Sequence, residues 1–416
     1  MQQHLSKIKK TEIDEIPKEW EVNRLINLCK GKPQYGAAVS AIPKHDGIPR
    51  YVRITDIDNN GKLKNNSIVG IEEKEAKPFY LSEGDILFAR TGSIGRTYIY
   101  SKGDGKCAFA GYLIRFIPEQ DKLNLNFLFH FTHSDSYWKW IDSIHTIGVL
   151  QNINAEQYSQ MPIPLPPLKE QQKIASILSK VDELIQKTEQ INAQTQRLKK
   201  GLMQRLLIKG IGHTKFKKTE LGEIPEKWEL YNISKIAELI MGQSPAGDSY
   251  NVNGEGIPLL NGPTEFGLEH PTPIQFTTKP TKLCRPEDIL LCVRGSTTGR
   301  LNISNRIYCI GRGLAAIRGL KNKTNTKWLY YNFLRLQDYI FNIASGGGST
   351  FPNVNRDVLE KISLPYPQFS EQQKIADIIN SVDQSIQRNY AIKNNTELLK
   401  KGLMQQLLTG KIRVKV

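Results

Sequence analysis

The chain repeats itself, and that repetition limits its fold more than any other feature. TEIDEIPKEW, from Thr11 to Trp20, returns as TELGEIPEKW from Thr219 to Trp228. EQQKIA, from Glu170 to Ala175, returns unchanged from Glu371 to Ala376, and KKGLMQ, from Lys199 to Gln204, returns unchanged from Lys400 to Gln405. A motif order that occurs twice implies one structural unit of roughly 200 residues built twice. The similarity is uneven. The helix-like stretches keep register, whereas the segments from about Glu21 to Met161 and Glu229 to Ile362 share only scattered matches, so two globules of one fold should carry different surfaces.

Each globule mixes short strand-like runs, such as Asp85 to Arg90 and Ile289 to Val293, with turns rich in Gly, Asn and Pro. Helix-like pieces carrying aromatics lie around Asn126 to Asp142 and Thr326 to Asn342. The expected class is α+β, with two tandem α/β globules. Each ends in a Pro-rich exit, Pro162 to Pro167 and Pro365 to Pro367, whose prolines are expected to stop a strand and to stiffen the approach to a helix.

Beyond each exit, apolar or small residues alternate in steps of four and three. In the first copy they are Ile177, Val181, Leu184, Thr188, Ile191, Thr195, Leu198 and Leu202. In the second they are Ile378, Val382, Ser385, Asn389, Ile392, Thr396, Leu399 and Leu403. Such spacing predicts a seam between helices, and 35 to 40 residues would make a rod of roughly 55 to 60 Å. Two similar rods most simply pair with each other, with the polar seam positions fixing register. The alternative is that each rod docks on its own globule. The expected divisions are residues 1–165 for the first globule with its N-terminal arm, 166–212 for the first helical spacer, 213–366 for the second globule and 367–416 for the second spacer.

Charge locates the surplus. The chain has a formal net charge of +16, yet residues 11–164 hold 18 Lys+Arg against 19 Asp+Glu, and residues 219–365 hold 16 against 14. The excess lies on the rods and the N-terminal arm. A positive rod could follow a phosphate backbone or could be a solvated helix face. Near-neutral globules can still read bases, since a few side chains at base edges carry sequence information.

The five cysteines are scattered, with no CxxC pair, and read as reduced core thiols in a cytoplasm and not as a zinc site. No apolar run is long enough to span a membrane. There is no GxxxxGK(S/T) phosphate loop, HExxH, GxSxG, or Asn/Asp-Pro-Pro-Tyr/Phe motif. Glu75-Ala76-Lys77 has the form of a nuclease motif's tail, but Pro78 follows it and no upstream partner supports it. His130 and His133 stand one helical turn apart and read as partly exposed residues of an aromatic helix, not as metal ligands. No metal site or catalytic residue is expected.

Two glycine-rich turns are the candidate contacts. Arg90-Thr91-Gly92-Ser93-Ile94-Gly95-Arg96 and Arg294-Gly295-Ser296-Thr297-Thr298-Gly299-Arg300 follow matched strands. Glycine permits close backbone approach, hydroxyls suit phosphate oxygens, and arginine can bond guanine in two places. Ordinary hairpin turns would look the same. Arg90, Ser93, Arg96, Arg294, Ser296 and Arg300 are therefore candidates for DNA binding. Gln151 and Asn152, with Asn353 and Asn355, could offer amides to adenine edges, although turn formation also favours Asn.

Taken in order, the IPxxW lead-in, the GDILFAR or EDILLCVR strand running into a glycine turn, the PLPPLKEQQKIA exit, the long helix and the KKGLMQ end resemble the specificity subunit of type I restriction-modification enzymes. The resemblance covers essentially the whole chain. It implies two target recognition domains, each reading half of an asymmetric, bipartite site on double-stranded DNA. Two helices paired as an antiparallel coiled coil, with a pseudo-two-fold internal repeat, would set the spacing. It implies no catalysis by this chain and no cofactor on it. Two methyltransferase subunits would use S-adenosylmethionine to methylate adenine N6, and two restriction subunits would use ATP and Mg²⁺. The alternatives are a related system with a fused methyltransferase-nuclease partner, a self-sufficient enzyme, or a scaffold that reads no sequence.

Overall fold

The computed structural model describes residues 8–144, 152–346 and 352–415. The chain divides into two compact units, Met1–Glu189 with Ala391–Val416, and Gln190–Tyr390. Both long helices, Leu168–Lys209 and Phe369–Leu407, contribute to both units.

In the first unit, strand Ile86–Ala89 is buried along its whole length. Because side chains alternate across a strand, Ile86 and Phe88 enter one core while Leu87 and Ala89 enter another. Its antiparallel sheet has the order Gln34–Tyr35, Leu113–Phe116, Ile86–Ala89, Thr97–Ile99. One face meets Phe127, Leu128 and Phe131 of helix Leu125–Phe131 and Tyr137 of helix Asp135–Ile144. The other meets Val52 and Phe109 of a second sheet, in which Cys107–Phe109 and Arg50–Val52 run parallel.

The second unit repeats the plan. Ile289 and Leu291 face one core, and Leu290 and Cys292 the other. The sheet order is Ala237–Met241, Leu314–Gly319, Ile289–Cys292, Leu301–Ile303. Where one aromatic helix is expected in each globule, two occur. Ser134 bonds Phe131 O and accepts from Tyr137 N, ending one helix and starting the next. In the second unit the break falls between Thr326–Arg335 and Gln337–Ala344.

The Pro-rich exits correct an expectation. Pro162–Leu165 forms a strand against Glu21–Arg24, and Ser363–Tyr366 forms one against Glu229–Asn232. A two-stranded ribbon leaves one side of each strand without ladder partners, so proline's missing N–H is tolerated there.

The recurring motifs prove to be fastenings. In the first unit Trp20 Nε1 donates to Glu170 Oε2 at 3.2 Å, and Arg413 grips both oxygens of Glu170 at 2.7 and 2.9 Å. In the second, Trp228 Nε1 donates to Glu371 Oε2 at 3.1 Å, while His213 Nε2 and the Ile211 amide lie 2.8 and 3.1 Å from Glu371 Oε1. Gln171 bonds the Asn124 amide and the carbonyls of Lys122 and Pro166, and Gln372 does the same with Asn325, Lys323 and Pro367. All five cysteines are buried and free.

Each unit contains an antiparallel pairing of the long helices. In the first, Asp182 bonds Lys400 at 2.6 Å and Glu189 bonds Lys393 at 2.7 Å, so one helix descends seven residues as the other climbs seven. In the second, Lys199 bonds Asp383 at 2.5 Å and Gln196 bonds Tyr390 at 2.8 Å.

Half of the expected seam is wrong. Val181, Leu202, Val382 and Leu403 are half-buried and Thr188 and Thr396 buried, but Leu184, Ile191, Leu198, Ile378, Ile392 and Leu399 are 39 to 56% exposed. The positions one residue further along, Ile185, Asn192, Lys199, Ile379, Lys393 and Lys400, are more buried in their place. At three of these positions the reason is electrostatic: Lys199, Lys393 and Lys400 turn toward Asp383, Glu189 and Asp182 across the pair, and the apolar residue before each faces outward. Ile177 packs on the first unit's core, so the helices also dock on the globules.

Candidate nucleic-acid interface

The first glycine turn leaves the buried strand at Arg90. Arg90 Nε donates to Asn152 Oδ1 at 3.1 Å, and its guanidinium lies 4.8 Å from the centre of the Tyr35 ring. Gly95 has φ +80, and a Cβ there would meet the Trp138 ring at 2.8 Å, so only glycine closes this turn without displacement. Tyr137 OH donates to Gly95 O at 2.7 Å, and the Gly95 amide donates to Tyr158 OH at 3.1 Å. Burial raises both phenols above their ordinary pKa, which keeps them protonated.

Ser93 is half-buried and lines a cleft of about 390 Å³ with Asn59, Arg96, His133 and Trp138. Arg96 is turned toward its own domain: Nη1 donates to Ile57 O at 2.7 Å and Nη2 to Asn59 Oδ1 at 2.6 Å. Its geometry is that of a brace, not of a free reading side chain. Gln151 lies outside the described residues.

In the second unit, Arg294, Ser296 and Arg300 are all exposed. Arg294 bridges antiparallel to Asn353, which is also exposed, so the structure brings these two candidates together. Asn355 Oδ1 accepts from Val358 N at 3.0 Å and caps helix Arg356–Glu360, as Asn154 caps Ala155–Ser159. Its amide oxygen is committed to the backbone, a correction to the base-reading role considered for it.

The arginines matched in sequence are not structural counterparts. Arg90 receives the Ile153 amide on its carbonyl and bonds Tyr112 O, and in the second unit Val293 makes the matching bonds with Val354 N and Gly313 O. The second turn is one residue longer, which places Arg294 beyond the position of Arg90 and into solvent.

The aspartates that open these strands are structural. Asp85 accepts from Ser82 N and lies 3.4 Å from Arg115, and burial raises its carboxyl's pKa. Asp288 accepts from Arg285 N and is held by Arg318 Nε at 2.6 Å and Nη2 at 2.5 Å. His130, expected to be partly exposed, is buried, with Nε2 3.2 Å from Ser179 Oγ and Nδ1 3.8 Å from Asp182. Its desolvation pushes the imidazole pKa down to about 4. One feature passed over in the sequence is the run Asn59 to Ser67, whose density of amides and lysines was its signal.

Among the described residues no three His, Cys, Asp or Glu side chains group as a metal site, and no helix is long and apolar enough to cross a membrane. The family model for the type I restriction modification DNA specificity domain matches twice, at residues 17–197 and 225–398. The chain is 36% identical to the protein named for the MjaX type I restriction enzyme's specificity subunit of Methanocaldococcus jannaschii, over 98% of this chain and 97% of that one. It is 27% identical to the MjaVIII specificity subunit of the same organism, over 96% and 94%. Its fold is similar to a chain from a structure on complex assembly and conformational transition of the type I R-M system, with TM-score 0.62, 23% identity and coverage of 95% and 99%. It is also similar to the S subunit from M. genitalium, with TM-score 0.61, 18% identity and coverage of 94% and 96%. With a specificity domain matched in each half and a relative this similar along almost its whole length, the chain belongs to the type I restriction-modification DNA specificity family.

Proposed function

We propose that this chain is the DNA-specificity subunit of a type I restriction-modification complex, in which each globule reads one half of an asymmetric bipartite site on double-stranded DNA and the paired helices fix the distance between halves. The carrying observation is one set of fastenings, Trp20–Glu170 and Trp228–Glu371, beneath two unlike surfaces. A duplicated frame with identical faces would suit a symmetric site; differing faces suit an asymmetric one. The division at 1–165, 166–212, 213–366 and 367–416 follows this plan of reading domain, spacer, reading domain, spacer.

Chemistry belongs to partners in this reading. The chain acts as a non-catalytic adaptor in the cytoplasm, and S-adenosylmethionine, ATP and Mg²⁺ are used by methyltransferase and restriction subunits. The outward apolar residues supply docking faces, with Leu184, Ile392 and Leu399 in the first unit and Ile191, Leu198 and Ile378 in the second. Apolar side chains at heptad spacing fit the helices of a partner, and one such strip per unit matches two methyltransferase subunits.

Co-expression with the methyltransferase subunits in a methylation-free bacterial host, followed by sequencing of modified adenines, tests the proposal. A two-part motif with an unread gap is expected. Scattered methylation without a motif would favour a scaffold, and methylation by this chain alone would make it an enzyme. A single large partner on copurification would identify the fused system.

A further inference from the structure

In the first unit, the backbone from Ile57 to Ser67 is held by three arginines. Arg96 donates to Ile57 O at 2.7 Å, Arg50 to Lys64 O at 2.5 Å and Arg53 to Ser67 O at 3.2 Å. Arg53 is itself fixed by Asp56 at 2.8 Å. Asp58 Oδ1 accepts from the amides of Asn60 and Lys62, Ile57 bridges Leu63, and Gly61, at φ +68, sits where a Cβ would meet Phe129 at 2.8 Å. The loop is therefore built before any ligand arrives, which lowers the entropy lost on binding.

What this frame presents is unusual for a globule of near-zero net charge. Residues 59–67 contain four asparagines and two lysines and no carboxylate, and Asn59, Asn60, Lys62, Lys64, Asn65 and Asn66 are all exposed. Three guanidinium groups that could have met phosphates are spent on carbonyls instead. The corresponding loop of the second unit follows Ile257–Leu260 and Pro263–Glu265 and is bridged at Phe266 and Pro271. It is fastened differently, by Asn302 Nδ2 to Gly267 O at 2.9 Å and by His270 Nδ1 to Ile303 O at 2.9 Å. Its tip, Leu268, is 103% exposed, and residues 266–274 hold no Lys or Arg. One position in the shared fold thus carries opposite chemistry in the two domains, as a site of specificity requires.

We infer that the loop 59–67 is a base-reading element for one half-site, with Asn60, Asn65 and Asn66 offering carboxamides to adenine edges in the major groove and Lys62 bonding a flanking phosphate, while Lys64 Nζ donates to Thr55 O at 2.9 Å and braces the loop. A carboxamide has one donor and one acceptor side by side, matching adenine N7 and N6. Arg96 is then a positioning residue. This assignment rests on the proposed function and adds to it the residues that read.

The test maps methylated adenines in host DNA after co-expression of the full chain with its methyltransferase subunits. Asn60→Ala and the pair Asn65→Ala with Asn66→Ala should relax discrimination at one half-site by roughly five- to 150-fold per lost two-point contact, leaving the other half-site at wild-type stringency. That unchanged half is the control for folding and assembly. Asn60→Gln and Asn65→Gln, which displace the amide by one methylene, should loosen the same half, as should Arg96→Ala. Lys62→Ala should weaken binding without changing the motif and lower its salt slope by up to about one. Wild-type stringency at both halves in the asparagine variants, or equal loosening of both, would overturn the loop assignment alone. A wild-type complex with no bipartite motif would overturn the proposed function and this inference together.

Discussion

The indole of Trp20 and the carboxylate of Glu170 are 150 residues apart in sequence and 3.2 Å apart in space, and the Arg413 guanidinium closes over the same carboxylate. Glu170 is 2% exposed on its side chain and Arg413 32%. Removing one partner of a buried ion pair leaves a charge without compensation, which costs on the order of 3 to 5 kcal/mol. Glu170→Ala should lie near the lower end, because Arg413 regains water. Urea unfolding monitored by tryptophan fluorescence measures it, and a loss below about 0.5 kcal/mol would contradict the role given to this bond. Arg413→Ala, which leaves the buried Glu170 carboxylate with only the Trp20 N–H, should cost at least as much.

His130 gives the first unit a pH dependence of known sign. Its native pKa is about 4 because of burial, against about 6.5 in the unfolded chain. Below pH 6.5 the unfolded chain takes up a proton that the folded site refuses. The stability His130 contributes is full above pH 6.5 and lost as pH falls through about 4, on the order of 3 kcal/mol in all. Asp182 and Lys400 face the ring with opposite effects, and His133 shares the downward direction. Asp85, raised by burial, opposes the trend. The difference between wild type and His130→Gln isolates the histidine. Urea midpoints of the two proteins should converge between pH 6.5 and 4, and parallel curves would count against the assignment.

The strands and duplicated frame were legible in the sequence because one local rule determined each. A fully apolar run such as Ile86–Ala89 must be covered on both faces, and a repeated Trp and Glu at fixed spacing must meet a repeated need. The helix seam was only half legible. Leu184 and Ile191 look like core residues by hydropathy, and Lys199 and Lys400 do not, yet the lysines lie in the pair because carboxylates await them on the facing helix. That partner is visible only in three dimensions. The glycine turns were found, but Arg96 proved to be a brace because its acceptors, Ile57 O and Asn59, lie in a loop some 37 residues away. One inserted residue in the second turn also broke the apparent equivalence of Arg90 and Arg294.

The outward apolar strips predict separable losses. Leu184→Lys with Leu399→Lys in the first unit, and Ile191→Lys with Leu198→Lys in the second, change side chains that are 49 to 56% exposed. Each pair should alter stability of the isolated chain by less than about 1 kcal/mol, since exposed substitutions have small effects. Each should also remove one methyltransferase subunit from the purified complex, as read by light scattering after gel filtration. Retention of both subunits in all variants would place docking elsewhere.

If the paired helices set the half-site spacing, length should convert directly into base pairs. A heptad inserted after Thr188 and another after Asn389 preserve the inward and outward faces, because seven residues return a helix to nearly the same angle. The insertion adds roughly 10 Å of helical rise, which corresponds to as much as about three base pairs of duplex. The ion pairs Asp182–Lys400 and Lys199–Asp383 lie outside the inserted segments, so each can still form within its own unit. The mapped methylation motif should keep both half-site sequences and gain up to three unread positions. A four-residue insertion would rotate the faces by about 40° and should abolish bipartite methylation. An unchanged gap with intact half-sites would show that the spacing is set by the globules and not by the helices.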